Sequence, residues 1–494
     1  MKPAMSLLAL GCALFVGASC VALSAMAQEK KPNVVFILAD NVGYGDLGPY
    51  GGDELRGAPT PRIDQLAHEG LRLTQYLVEP ACTPSRAALM TGQYSIRNGL
   101  SLVLVPGSEA TLSAHAYTMG DMFHGLGYAT AIFGKWHLGS DPQSLPTAHG
   151  FDEFYGIPPD ISWDSATYVD TIELTHSIDA PPDVLLAKGP QIVEAVLGGP
   201  LHTVKPFTRE VRAEIDTELV AKSIDFMKRS QAADKPFFLY LPFSMGHFPN
   251  LPSKGFAGKS QIGQYGDKLM EGDYHIGQIL DALKDLKLDD DTILMFASDN
   301  GPQGETAREE GNEATPDMGN SGPFRGELGE ATEGAIRTFA FIRWPGHVKP
   351  DTTSYAMFSI MDFFPTLASI VGGKMPTDRP IGKSAVGHRD NLLTFIGWQL
   401  VAERWKQWRV YFTDVHPTGI GPERLPGMGS ASTTLAGYPK VFNIQMDPHE
   451  DHNVVAMFGW VADPALEAVR KYEESVRKYP NPPPPNITVF GRGG

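Results

Sequence analysis

The sequence predicts an α/β fold: a large, mostly parallel or mixed sheet flanked by helices, with a smaller C-terminal α+β domain containing an antiparallel sheet. Three observations lead there. Short apolar runs alternate with helical stretches through most of the 494 residues, the pattern of a largely parallel sheet. Four of those runs end in clusters of polar residues. Beyond a Gly- and Pro-rich stretch at 372–387, the runs alternate apolar and polar positions, as antiparallel strands do.

The four runs mark a candidate site. Val34-Val35-Phe36-Ile37-Leu38 leads into Asp40-Asn41, and Thr292-Ile293-Leu294-Met295-Phe296 into Asp299-Asn300-Gly301. Ala129-Thr130-Ala131-Ile132-Phe133 is followed by Lys135 and His137, and Phe237-Phe238-Leu239-Tyr240-Leu241 by His247. In open α/β sheets, ligands bind beyond the carboxyl ends of the strands. Asp and Asn after a strand are often plain turn residues, and a lone His is more often structural than catalytic. Turn chemistry alone does not explain carboxylates, amides, a lysine and two histidines at four strand ends.

Helices are expected between the runs. Residues 63–71 follow Thr60-Pro61, a helix-start signal. Val211, Ile215, Leu219, Ile224 and Met227 mark a long amphipathic helix, and 270–286 reads similarly. Residues 155–207 lack a clean period and are expected to be an insertion walling the site. In the C-terminal part, 405–411 and 441–446 read as strands and 464–476 as a helix packed on them. His449 and His452 lie in a segment that fits a polar turn better than a zinc site, which needs further spaced ligands. The expected organisation is a leader at 1–27, a main domain at 28–375, a smaller domain at 376–479 and a Pro-rich, extended tail at 480–494.

The formal charge of −16 argues against a nucleic-acid partner, so an anion site would need a local cluster of positive charge. Lys2, an apolar stretch at 7–23 and Ala25-Met26-Ala27 before Gln28 read as a secretory signal with its cleavage site. Export to the periplasm or outside the cell is therefore expected. No other segment is apolar for long enough to span a bilayer, so no stable membrane insertion is expected after cleavage. Cys12 and Cys20 fall in the leader, which leaves Cys82 alone and without an internal disulfide partner.

The neighbours of Cys82 are informative. Cys82-Thr83-Pro84-Ser85-Arg86, followed by Ala87-Ala88-Leu89-Met90-Thr91-Gly92, resembles the signature of the formylglycine-dependent sulfatases, a family of the alkaline phosphatase superfamily that includes the arylsulfatases. The resemblance continues through residues 40–51, Thr60-Pro61-Arg62-Ile63-Asp64, Gly134-Lys135-Trp136-His137-Leu138-Gly139 and Ser298-Asp299-Asn300-Gly301. Phe324-Arg325-Gly326, Arg343-Trp344-Pro345-Gly346 and Asp447-Pro448-His449-Glu450 extend it, so that it runs from about residue 32 to 455.

This resemblance implies an alkaline-phosphatase-like sheet and hydrolysis of a small-molecule or carbohydrate sulfate ester. It implies that a formylglycine-generating enzyme converts Cys82 to formylglycine during maturation. Pro84 is suited to opening a helix, which would put residue 82 at an anion-favouring helix N-terminus. Asp40, Asn41, Asp299 and Asn300 supply only oxygen donors, which suits calcium or magnesium rather than zinc. The resemblance points to one calcium per chain, with the oxygen made at Cys82 as a further ligand. It gives Arg86 and Lys135 the task of holding the formylglycine and sulfate oxygens. His137 would position the hydrate and take its proton, and His247 would protonate or stabilise the leaving oxygen.

Two departures from the family pattern stand out. The family usually has aspartate where this chain has Asn41, and a lysine that contacts sulfate where it has Leu328. A hydrolase of phosphate or phosphonate esters on the same scaffold, or a binding homologue that has lost turnover, is the alternative. The sequence leaves aryl, steroid and carbohydrate alcohols equally open.

Overall fold

Residues 31–104, 108, 110–159, 181, 184, 189–303, 319–379, 382, 389–417, 430–435 and 437–483 are described by the computed structural model. The expected leader, most of 160–188 and the end of the tail lie outside them.

The apolar runs become strands buried on both faces. In chain order the main sheet contains Asn33–Ala39 (β1), Leu71–Leu77 (β2), Ala129–Lys135 (β3), Glu153–Ile157 (β4), Gln191–Val196 (β5) and His202–Pro206 (β6). It continues with Phe237–Pro242 (β7), Thr292–Ser298 (β8), Arg337–Arg343 (β9), Thr352–Ser354 (β10) and Phe358–Ser359 (β11). The order is β10-β2-β9-β8-β1-β7-β3-β4-β5-β6, with β11 also paired to β2. β8, β1, β7, β3 and β4 run parallel, while β9, β5 and β6 make the sheet mixed.

Alternation of side chains divides the core into two layers. Val34, Phe36 and Leu38 of β1 pack toward helices Cys82–Thr91, Met119–Gly125 and Phe363–Val371 through Leu89, Phe123 and Leu367. Val35, Ile37 and Ala39 face helices Pro61–His68, Arg209–Ala232 and Gly263–Asp285 through Ile63, Leu219 and Ile276. Helix Arg209–Ala232 starts where Thr208 Oγ1 accepts a hydrogen bond from Val211 N. Helix Gly263–Asp285 begins about two turns earlier than the sequence pattern, which Gly263 and Gly266 interrupt.

The described part of the aperiodic stretch at 155–207 belongs to the sheet itself. It completes β4 and adds the β5–β6 hairpin, which extends the sheet edge. Its period is weak because β6 is largely exposed on both faces.

A separate antiparallel sheet follows, with Asn391–Ile396 (β12), Gln399–Trp405 (β13) and Trp408–Tyr411 (β14) in consecutive hairpins. Thr413–Pro417 (β15) pairs with Ser430–Thr434 (β16) in a two-stranded sheet, and Lys440–Asn443 (β17) completes the four-stranded sheet beside β14. Helix Ala462–Lys478 covers one face, with Ala465 against Trp408 and Val410. The other face packs Ala402, Tyr411 and Phe442 against Phe324 and Ala331. His449 and His452 lie in an exposed turn, paired with Asp451 and Asp447.

Candidate active site

β8, β1, β7 and β3 are consecutive and parallel, so their four polar C-terminal ends converge. Cys82 joins them as the first residue of helix Cys82–Thr91, and one potential ligand atom each of Asp40, Cys82 and His247 lie within 4.8 Å of one another. Ala81 precedes the helix in extended conformation, and its carbonyl accepts from Ser85 N at 3.0 Å. The N–H groups of the first turn therefore lie beyond the helical ladder and favour an anion at this end. Every residue singled out at the four strand ends is buried, as are Cys82 and Arg86.

Charge is concentrated on two aspartates. Arg86 donates to Asp299 Oδ2 through Nε at 3.0 Å and Nη2 at 2.8 Å, and reaches Asp40 Oδ2 at 3.1 Å. Lys135 Nζ donates to the same Asp40 oxygen at 2.7 Å, and Arg86 Nη1 to the Lys135 carbonyl at 3.1 Å. Burial, with the Asp40 carboxylate alongside, pushes Asp299 above the ordinary carboxylate range, against the pull of Arg86 and Lys135. Added positive charge beside Asp299 would favour its ionised form against that burial. Asn300 Oδ1 is also buried without a hydrogen-bond partner among the described residues. Carboxylate and amide oxygens in this state fit a hard cation.

Backbone conformation serves the same site. Asn41 and His137 both have φ of 60°, the left-handed region that costs a non-glycine residue energy and often occurs at functional positions. The loop after β1 is fixed by Asp46, whose Oδ2 accepts from Gly43 N at 2.6 Å and Tyr265 Oη at 2.5 Å. A Cβ on Gly43 would lie 2.3 Å from the Asn320 carbonyl oxygen, so only glycine permits this approach.

The histidines are oriented by main-chain carbonyls. His137 Nε2 donates to Leu104 O at 2.9 Å, which makes Nδ1 the basic nitrogen of the neutral ring. His247 Nδ1 donates to Phe248 O at 2.6 Å, so its basic nitrogen is Nε2. Arg212 braces that loop, donating to the carbonyls of His247, Phe248 and Pro249 at 3.1, 2.8 and 3.0 Å. Asp216 accepts from Ser244 N and Oγ at 2.9 and 2.7 Å and pairs with Lys268 at 3.0 Å. Sequence reasoning missed these supports. The available signal was two polar residues, Arg212 and Asp216, on the buried stripe that also carries Ile215 and Leu219.

Leu328 is buried and donates its backbone N–H to Pro302 O at 2.8 Å. Arg325, three residues before it, reaches Glu450 at 3.7 Å.

Residues 32–373 match the sulfatase family model. The chain belongs to the sulfatase family. It is an enzyme of the sulfuric ester hydrolase class. It is 33% identical to arylsulfatase A of Bos taurus over 470 residues, covering 91% of this chain and 88% of that one. It is 34% identical to N-acetylgalactosamine-6-sulfatase of Canis lupus familiaris, covering 76% of this chain and 68% of that one. Among solved structures, the PsFucS1 sulfatase from Pseudoalteromonas sp. superposes with a TM-score of 0.81 at 30% identity, covering 92% of each chain. That superposition supports the fold described above, a large mixed sheet with a smaller antiparallel sheet.

Proposed function

We propose that this sulfatase cleaves sulfate monoesters with a formylglycine hydrate formed from Cys82 beside a calcium ion. The observation that carries the reading is the meeting of Cys82, Asp40 and His247 at one helix N-terminus, beside the buried pairs of Arg86 and Lys135. Cys82 lies in the motif of the modifying enzyme, its partner during maturation.

One hydroxyl of the hydrate loses its proton to solvent and attacks sulfur, and the sulfur–oxygen bond to the alcohol breaks. The departing oxygen takes a proton from Nε2 of His247 in its imidazolium form, the nitrogen not committed to Phe248 O. The second hydroxyl then gives its proton to His137, the carbon–oxygen bond to sulfate breaks, and the aldehyde returns. A serine could attack but would lack this route to release. Arg86 and Lys135 hold the anionic oxygens in a buried setting where their charge counts for more than in water. Asp40, Asn41, Asp299 and Asn300 would hold calcium with the residue 82 oxygen, and the ion would polarise a sulfate oxygen and lower the hydrate pKa.

The substrate is a small-molecule or carbohydrate sulfate ester. The relatives' names span arylsulfatase, steryl-sulfatase and N-acetylgalactosamine-6-sulfatase, which supports sulfate as the shared group and leaves the alcohol open. We assign residues 1–27 to an export leader, 28–375 to the catalytic domain, 376–479 to the smaller domain and 480–494 to a tail. No helix among the described residues is long and apolar enough to cross a membrane.

Peptide mass analysis of protein from its native host tests the reading. Residue 82 is expected as the aldehyde or its hydrate. A free, alkylatable thiol at full occupancy would sink the mechanism.

A further inference from the structure

Gln303 lies in no motif that pointed to the site, yet its side chain joins two halves of it. Its Oε1 accepts from Phe248 N at 2.9 Å and from Asn41 Nδ2 at 3.2 Å, and the residue is buried. Phe248 directly follows His247, and Asn41 directly follows Asp40.

The orientation of these amides follows from two main-chain groups. The Phe248 N–H can only donate, so the Gln303 atom facing it is oxygen. The Asn41 atom facing that oxygen must then be its nitrogen, which turns Asn41 Oδ1 toward Asn300. Asn300 presents Nδ2 there at 2.7 Å, and the same nitrogen donates to Gly301 O at 2.8 Å. A carbonyl can only accept, so this end is fixed too. Asn300 Oδ1 is consequently directed away from the chain of amides, where it has no hydrogen-bond partner among the described residues. An aspartate at 41 would set a carboxylate oxygen against Gln303 Oε1. Rotating Gln303 to relieve that would face its NH2 to the Phe248 N–H. The amide at Asn41 is therefore matched to Gln303.

The geometry points to Gln303 as a positioning residue that sets the cation-site amides and the His247 loop through one oxygen atom. The inference rests on the reading of the site as a calcium sulfatase with His247 as the leaving-group acid. Loss of that oxygen leaves the buried Asn41 amide and the half-buried Phe248 N–H without this acceptor. Both the cation site and the acid should shift together.

The test compares Gln303→Met, Gln303→Glu and His247→Ala in full-length, modified protein, with folding checked by thermal melting. Calcium affinity is read by calorimetry, and kcat at saturating calcium for 4-nitrophenyl sulfate and for an alkyl sulfate. The nitrophenolate leaves readily without a proton, whereas the alkoxide needs one. Gln303→Met should weaken calcium binding by about 10- to 100-fold, the usual consequence of removing a hydrogen-bond partner of a metal ligand. It should also depress the alkyl sulfate reaction more than the aryl one, in the same direction as His247→Ala. Gln303→Glu keeps an accepting oxygen and should lie nearer the parent than Gln303→Met on both readouts. Unchanged calcium affinity in Gln303→Met, or an equal loss on the two esters, would overturn the inference. A parent protein that takes up no calcium, or a His247→Ala variant with no leaving-group dependence, would remove the underlying reading and the inference with it.

Discussion

Lys135 Nζ lies 2.7 Å from Asp40 Oδ2, and Arg86 Nη2 donates to the same oxygen at 3.1 Å. All three side chains are fully buried. Removing one member of such a pair leaves a charge in a medium that solvates it poorly, at a cost of about 3–5 kcal/mol. Lys135→Met should therefore lower stability by about that much in urea unfolding of the chelated protein. Asp40→Asn in the same chain should recover part of it, because the uncompensated carboxylate is gone. An additive pair of effects would mean that the short contact contributes no coupling.

Metal dependence separates the four oxygen-bearing residues. Chelation should abolish sulfate-ester hydrolysis, and calcium should restore it better than zinc, given a donor set without nitrogen or sulfur among these four. Asp299→Ala should be more damaging than Asn41→Ala. Asp299 accepts from two Arg86 nitrogens and from Asn41 N at 3.2 Å, so its loss strips Arg86 of its shortest partner as well as removing a charge. Recovery of turnover with zinc alone would count against the assignment.

Much of this arrangement was legible in sequence because central parallel strands are buried on both faces. β1 and β8 therefore appear as unbroken apolar runs, and a polar residue after each run is conspicuous. Helix Arg209–Ala232 was legible from Ile215 and Leu219 for the same reason, at a different period. What stayed hidden depends on approach in space. Gln303 meets partners 262 and 55 residues away, and nothing in Gly301-Pro302-Gln303 announces either contact. The β5–β6 hairpin was obscured because an exposed edge imposes little alternation. Arg212 and Asp216 broke the apolar pattern of their helix, but their partners, the carbonyls after His247 and the Ser244 N–H and hydroxyl, are known only once the helix is packed.

A prediction about pH arises far from the cation site. Glu403 on β13 is buried, with neither carboxyl oxygen hydrogen-bonded among the described residues. Burial pushes its pKa up to about 8, with Arg409 opposing and Asp390 adding to the rise. Between the unfolded value near 4.5 and 8, the folded state holds a proton that the unfolded state has lost. Stability must therefore fall as pH rises through that window. Glu403→Gln, neutral at every pH, should raise the melting temperature at pH 8 to 9 and change it little near pH 4. A uniform shift at all pH values would show that packing rather than ionisation controls the effect.

The last prediction concerns the two departures from the family pattern, Asn41 and Leu328. Relative to the usual pattern, one removes a negative charge and the other a positive charge, so the net charge of the site is conserved. The structure supplies a route between them. Leu328 N donates to Pro302 O, and the next residue, Gln303, accepts from Asn41. Arg325 does not replace the missing lysine at the site, since it is directed to Glu450. Asn41→Asp alone should weaken sulfate-ester binding, because it adds repulsion and sets oxygen against Gln303. Leu328→Lys alone should lower stability or calcium retention, because an ammonium enters a buried position. The double variant should recover part of both losses. A double-mutant cycle on kcat/KM and calcium affinity measures this directly. Coupling below about 0.5 kcal/mol, the scatter expected of independent sites, would mean that the two substitutions are unrelated. The match of Asn41 to Gln303 would then account for the amide at that position by itself.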